Sequence, residues 1–182
     1  MLSELFFSML ICCCIGAICS ILIRIIVCLT RHQKIVLRKE EIPIVLFASY
    51  CFGLLSQTVP IILVIRYGNQ MVNGGYHNVN LVPFRSITKY ITGADSIGGI
   101  SLANVLGNVL LFVPMGLLLP IIFKKCNSPI KVILIGAIVS ALIEITQYFL
   151  GRSADIDDVI LNVIGTVVGV GVYSVLKGLI ER

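Results

Sequence analysis

The chain has 182 residues, of which 58% are hydrophobic and 13% are charged. A water-soluble domain carries about 25% charged residues, so this composition excludes an ordinary soluble domain and indicates a protein whose surface faces lipid. The formal net charge of +5 does not indicate nucleic-acid binding, because the basic residues form two short clusters rather than a broad face with aromatic or polar readers.

Five apolar segments are long enough to cross a bilayer as α-helices, which takes about 20 residues at a rise of about 1.5 Å each. In chain order they cover residues 5–29, 42–65, 104–123, 130–150 and 159–176. The sequence therefore predicts an all-α integral membrane protein with about five transmembrane helices, a multi-pass protein of the cell membrane.

The basic clusters predict the orientation of these helices. They lie in the connections 30–41 and 124–131, and connections rich in lysine and arginine stay on the cytoplasmic side. The N-terminus is then outside and the C-terminus inside. Residues 1–65 are predicted to hold two helices and a basic cytoplasmic loop, and residues 66–182 the external loop and three further helices.

The external loop, residues 66–103, contains six glycines and is predicted to be mostly turn rather than helix. Its apolar stretch 81–84 is too short to span the bilayer and is a candidate re-entrant or interfacial segment. Phe84 and Tyr90 suit the headgroup boundary, where aromatic side chains are enriched.

Glu144 is the most informative residue, because it lies inside the fourth predicted span, about 9 Å from its outer end by helical rise. A charged residue at the bilayer centre costs about 2.5–3.5 kcal/mol on insertion scales, and such residues usually face a cavity or a partner. Gln147 and Tyr148 follow three and four positions later and share its helical face.

More polar residues are predicted to meet Glu144 on the external side, because three helix ends and one loop converge there. They are Asn80, Arg85 and Ser86 from the loop, Asn104 and Asn108 from the third span, and Arg152, Asp155, Asp157, Asp158 and Asn162 around the start of the fifth. The predicted ligand-binding residues are Asn80, Arg85, Asn108, Gln147, Arg152, Asp155, Asp158 and Asn162.

Each part of this cluster also has a purely structural interpretation. Asp155 or Asp157 suits the N-cap of the fifth helix, where a carboxylate meets the positive end of the dipole. Asn108 and Asn162 suit interhelical hydrogen bonds, which contribute about 0.6 kcal/mol on average in membrane bundles. Glu144 suits an ion pair with one of the arginines.

The chemistry of the cluster leaves several ligands open. Arg85 and Arg152 suit a phosphate or carboxylate, which the guanidinium fork matches. Asp155, Asp157 and Asp158 offer oxygen ligands to a divalent cation, although their spacing is not that of an EF-hand loop. The sequence contains no Walker, G-x-S-x-G or H-E-x-x-H motif.

Four blocks of the sequence resemble the VanZ-like family, in the family's order. They are 80–85 (NLVPFR), 108–116 (NVLLFVPMG), 144–147 (EITQ) and 152–162 (RSADIDDVILN) with Gly165. The resemblance implies a small bacterial membrane protein. Family members associated with resistance lower susceptibility to glycopeptide antibiotics, teicoplanin in particular, and teicoplanin carries a lipid tail and acts at the outer membrane surface.

Three functions remain open at this point. In the first, the external cluster binds a membrane-proximal ligand, either an envelope lipid or a lipid-tailed glycopeptide, with both arginines on its anion. In the second, the chain is a membrane hydrolase or transferase acting on an envelope lipid or cell-wall precursor, with Glu144 or Asp157 as general acid/base or metal ligand. The third is a small transporter, which would need an oligomer.

Overall fold

The computed structural model describes residues 2–30, 41–58, 79–92, 98–126, 128–150 and 152–181. The chain divides into two compact units, Met1–Ile61 and Ile62–Arg182. Helices α1 (Leu2–Thr30) and α2 (Ile42–Thr58) belong to the first unit.

Helices α1 and α2 pack closely through small residues. A Cβ atom on Gly16 would lie 2.9 Å from the Ala48 carbonyl oxygen, so only glycine allows the two backbones to approach this closely. The Arg24 guanidinium near the end of α1 forms an ion pair with Glu41 at 2.6 Å. The pair neutralises the one arginine in the first predicted span. The last part of the second predicted span, residues 59–65, lies outside the described residues.

The described residues of the second unit form four further α-helices, one 3-10 helix and two short strands. In chain order these are β1 (Val79–Asn80), α3 (Arg85–Thr92), α4 (Gly98–Ile122), the 3-10 helix Lys124–Cys126, α5 (Pro129–Phe149), β2 (Ala154–Asp155) and α6 (Ile156–Ile180). The strands pair in parallel, with Val79 opposite Ala154 and Asn80 opposite Asp155. This pairing joins residues 79–80 of the predicted external loop to the start of α6.

Within the described ranges, four helices are long and apolar enough to cross a membrane, which confirms the predicted all-α membrane class. The four stretches are Met9–Thr30, Asn104–Ile122, Pro129–Phe149 and Ile156–Ile180, and Ile42–Ser56 is a shorter apolar helix. The orientation and the division at residue 65 stay predictions.

Several helix boundaries differ from those predicted, and α4 begins at Gly98 rather than at 104. Helix α6 begins at Ile156 rather than at 159, because Asp155 serves as its N-cap, and Asp157 and Asp158 therefore lie in its first turn rather than in a loop. The predicted external loop contains the eight-residue helix α3, although its glycines favoured turns. Its start is stabilised by a carboxylate that is distant in the sequence.

Glycines hold α6 against its neighbours. A Cβ on Gly165 or Gly169 would overlap a backbone carbonyl of α4, and one on Gly136 of α5 would lie 2.5 Å from the Thr166 hydroxyl. Small residues allow this close approach without a hydrophobic driving force between helices. The contacts fix the separation of α4, α5 and α6, and with it the spacing of the polar side chains between them.

Candidate functional site

Asp155 ties the two strands and the loop together. Its Oδ1 accepts hydrogen bonds from the Asn80 amide and from the Asp157 N–H, both at 2.9 Å. Its other oxygen accepts the Ser86 hydroxyl. The side-chain Oδ1 of Asn80 in turn accepts the Val82 N–H at 3.3 Å, which closes the turn after β1. The predicted N-cap role of Asp155 is therefore confirmed.

Asp157 holds the start of α3. Its Oδ1 accepts the Phe84 N–H at 2.5 Å, and its Oδ2 accepts the N–H groups of Ser86 at 2.7 Å and Ile87 at 3.1 Å. These donors lie at a helix N-terminus, where unpaired N–H groups and the dipole favour an anion. Phe84 has a φ of 64°, a left-handed conformation rare for a non-glycine residue. The Asp157 side chain is 0% exposed, and both of its oxygens are bonded to backbone.

Glu144 is buried near the end of α5, where its carboxylate contacts the backbone of Asp155. Its Oε2 accepts the Asp155 N–H at 2.9 Å, and the residue is 7% exposed. Its carboxylate interacts electrostatically with Asp155, Asp158 and Arg152. Among the described residues, no hydrogen bond reaches its Oε1 and no ion pair joins it to Arg152 or Arg85.

Asp158 is, like Glu144, a carboxylate of the cluster with one oxygen that accepts no hydrogen bond from the described residues. Its Oδ1 accepts the Asn108 amide at 2.7 Å, which joins α6 to α4. Within the described part of the chain, its Oδ2 accepts no hydrogen bond. Asp158 and Glu144 thus present one unbonded carboxylate oxygen each, from neighbouring helices.

A polar row continues from these carboxylates between α5 and α6. The Asn162 amide donates to the Ser140 hydroxyl at 2.9 Å, and the Thr166 hydroxyl donates to the Asn162 carbonyl at 3.0 Å. Asn162 Oδ1 is buried without a hydrogen-bond partner among the described atoms. The interhelical role predicted for Asn108 and Asn162 is confirmed by these contacts.

The remaining predicted site residues are two exposed arginines and one buried glutamine. Arg85 and Arg152 are exposed, and Arg152 interacts electrostatically with both Glu144 and Asp158. Gln147 is 9% exposed, and its backbone carbonyl accepts the Arg152 N–H at 3.0 Å. The chain reversal after α5 thereby holds Arg152 beside the carboxylates.

The predicted divalent-cation site does not form in this arrangement. Within the described residues, no group of three or more histidine, cysteine, aspartate or glutamate side chains is placed to hold a metal ion. The carboxylate oxygens of Asp155 and Asp157 already accept hydrogen bonds from N–H and hydroxyl groups. To bind a cation, they would have to break the hydrogen bonds that hold the β1–α3 connection.

A family model described as VanZ/LLP1 matches residues 43–177, which is most of the chain. The chain belongs to the VanZ-like family. Comparison with curated proteins found no match, and neither did comparison with solved structures.

Membership of the VanZ-like family agrees with the resemblance, and the geometry adds residues to it. Sequence reasoning does not single out Ser140 and Thr166, which line the polar row. Ser140 carries a usable signal, because it precedes Glu144 by four positions and so shares its helical face. The backbone donors of Phe84 and Ile87 have no signal in their side chains.

Proposed function

We propose that this VanZ-like protein binds a membrane-proximal ligand, an envelope lipid or a lipid-tailed glycopeptide, at the external end of α4, α5 and α6. The proposal places the protein in the cell membrane of a bacterium, where such binding would lower the access of teicoplanin to its target. It combines the family resemblance with the orientation expected from the basic loops.

One observation carries this proposal: the four carboxylates of the cluster divide into two pairs. Asp155 and Asp157 are saturated by donors within the protein. Glu144 and Asp158 each keep one oxygen, with Arg152 close by. A saturated pair supports structure, whereas free carboxylate oxygens beside an exposed guanidinium suit a polar headgroup that carries both donors and an anion.

Glu144→Gln is the sharpest variant for testing this site. A glutamine oxygen can still accept the Asp155 N–H, so the variant removes the charge and keeps the contact that supports the start of α6. Arg152→Ala removes the rim cation. Lys124→Gln is the matched control, because it removes an exposed positive charge from the 3-10 helix, which contributes no residue to the cluster.

The assay is teicoplanin and vancomycin susceptibility of a sensitive host that expresses each variant at equal membrane levels. We expect wild type and Lys124→Gln to protect against teicoplanin, and Glu144→Gln and Arg152→Ala to lose that protection. Protection by all four proteins would show that the cluster is not the site. Absence of protection by wild type would remove antibiotic resistance from the proposal.

The orientation has its own test. A cysteine at position 73, a residue outside the described ranges, should react with an impermeant thiol reagent in a variant that lacks the native cysteines. Labelling only after permeabilisation of the cells would place the cluster on the cytoplasmic side and overturn the proposal.

The pairing of Glu144 with Asp158 favours one second candidate, a hydrolase or transferase acting on an envelope lipid or cell-wall precursor. Two carboxylates on neighbouring helices, coupled electrostatically, suit general acid/base catalysis. Asp157 has a saturated carboxylate and is less suited to the role predicted for it, although that role is untested. A changed envelope lipid or cell-wall product that appears with wild type and not with Asp158→Asn would support this candidate.

A further inference from the structure

A groove lies at the end of the second unit remote from the carboxylates, between the end of α4, the start of α5 and the end of α6. Its volume is about 290 Å³, and residues from all three helices line it, among them Pro120, Pro129 and Tyr173. Along α6, the 19 residues from Asp158 to Lys177 span about 28 Å. The groove therefore lies near the opposite membrane surface from the proposed external site.

The floor of the groove is apolar, whereas Ser174, Lys177 and Glu181 add polar surface to its lining. Val132 and Val170 line it and are 1% and 8% exposed, so they form its floor. Pro120, Pro129 and Tyr173 form much of its wall. The volume is at the lower end of the range for ligand pockets, about 300–1,000 Å³. An apolar slot of this size suits part of one acyl chain rather than a bulky soluble ligand.

Lys177 and Glu181 line the mouth of the groove. The end of the unit around it is basic, because Lys124, Lys125 and Lys131 belong to it. Lys177 Nζ lies 3.8 Å from a carboxylate oxygen of Glu181, and their side chains are 53% and 65% exposed. An exposed pair at this distance contributes little, so the ammonium can exchange this partner for a phosphate.

We propose that this groove binds an anionic phospholipid of the cytoplasmic leaflet. One acyl chain lies over Val132 and Val170, and the phosphate contacts Lys177. Basic pockets between transmembrane helices on the cytoplasmic side suit anionic headgroups, and each lysine near the surface contributes about 1 kcal/mol of attraction. The proposal does not depend on a ligand at the external site.

Two glycines of α6 provide a matched pair of variants for the apolar part. A Cβ at Gly178 or at Gly171 would meet nothing within 4 Å, so both positions accept a side chain. Gly178 lines the groove and Gly171 does not. Gly178→Leu therefore fills the groove, whereas Gly171→Leu adds the same side chain to the same helix elsewhere.

Two charge variants test the mouth of the groove, and we expect them to change the affinity for the anionic lipid in opposite directions. Lys177→Gln removes the proposed phosphate contact, and Glu181→Gln removes a negative charge beside it. Lys89→Gln is the control for lost positive charge, since α3 lies outside the groove. A merely structural effect would not move Lys177→Gln and Glu181→Gln in opposite directions.

The experiment is a native mass spectrometry titration of the purified full-length chain with phosphatidylglycerol, and with phosphatidylcholine carrying the same acyl chains. We expect wild type to bind phosphatidylglycerol at least fivefold more tightly than phosphatidylcholine. Lys177→Gln should weaken the anionic lipid about fivefold, the equivalent of about 1 kcal/mol. Gly178→Leu should weaken both lipids, Glu181→Gln should strengthen the anionic one, and both controls should match wild type.

Three results would overturn the proposal. Equal binding of the two lipids would remove the headgroup contact. Equal behaviour of Gly178→Leu and Gly171→Leu would remove the groove as the acyl-chain site. Full displacement of phosphatidylglycerol by an equal concentration of glycerol phosphate would show that a free phosphate occupies the mouth without a lipid chain.

Discussion

The clamp that Asp157 forms on α3 can be tested by one conservative substitution, Asp157→Asn. The carboxylate accepts three backbone N–H groups, two on Oδ2 and one on Oδ1. An asparagine can keep two of them on its single oxygen, but it turns an N–H₂ group toward the third. It also removes the negative charge from the helix N-terminus.

The expected cost of this substitution follows from those three bonds. Losing one charge-assisted hydrogen bond costs about 1.5–3 kcal/mol, and weakening the other two to neutral ones adds to it. We expect a local loss of about 2–4 kcal/mol, confined to the start of α3. Opening of that segment should then become about 25- to 700-fold more frequent, at about 1.4 kcal/mol per factor of ten.

Hydrogen exchange of the amides of residues 84–87, followed by mass spectrometry, measures this opening. Asp158→Asn is the control, because that carboxylate bonds to Asn108 and makes no hydrogen bond to α3 within the described residues. Unchanged exchange at 84–87 in Asp157→Asn would refute the clamp. If that variant also lost activity, the result would instead favour the catalytic role predicted for Asp157.

Three further predictions concern packing and membrane contact. Gly169→Ala should lower stability in detergent by about 1–3 kcal/mol, because its Cβ would overlap a carbonyl of α4, whereas Gly171→Ala should leave the melting temperature unchanged. Ser140→Ala should lower stability by about 1–2 kcal/mol, because the buried Asn162 amide loses its hydrogen-bond acceptor. Thr166→Val should lower stability by only about 0.6 kcal/mol, and equal melting shifts of the two variants would contradict this order. Phe84→Trp adds the sole tryptophan to the chain, and quenching by iodide rather than by brominated lipids would place the exposed residue 84 in water instead of the interface.

The helices were predictable from the sequence because lipid imposes a simple rule on length and polarity. The same rule made Glu144 conspicuous, since a carboxylate in a membrane span needs a partner. Asp158 and Asn162 are four positions apart and therefore share a helical face, and the structure shows that both contact neighbouring helices. Local periodicity therefore predicted which side chains point inward.

The partners of those side chains were not predictable in the same way. The clamp on α3 joins Asp157 to backbone groups 70 to 73 positions away, and backbone donors leave no trace in residue type. The strand pairing of Asn80 with Asp155 spans a similar separation. Composition suggested a loop of turns, because glycine content reports local preference and says nothing of a distant carboxylate.

The hydrogen bonds of Glu144 predict how a ligand at the proposed external site would affect the β1–α3 segment. The Glu144 carboxylate accepts a hydrogen bond from the Asp155 N–H, and the Asp155 carboxylate accepts hydrogen bonds from Asn80 and Ser86. Asp155 therefore links α5 to the β1–α3 segment. A ligand that takes the free Glu144 oxygen leaves this chain intact, whereas one that displaces Oε2 must loosen it. Hydrogen exchange at Asp155 with and without ligand separates these two modes. Faster exchange on binding would make the β1–α3 segment part of the response, and unchanged exchange would make it a fixed wall.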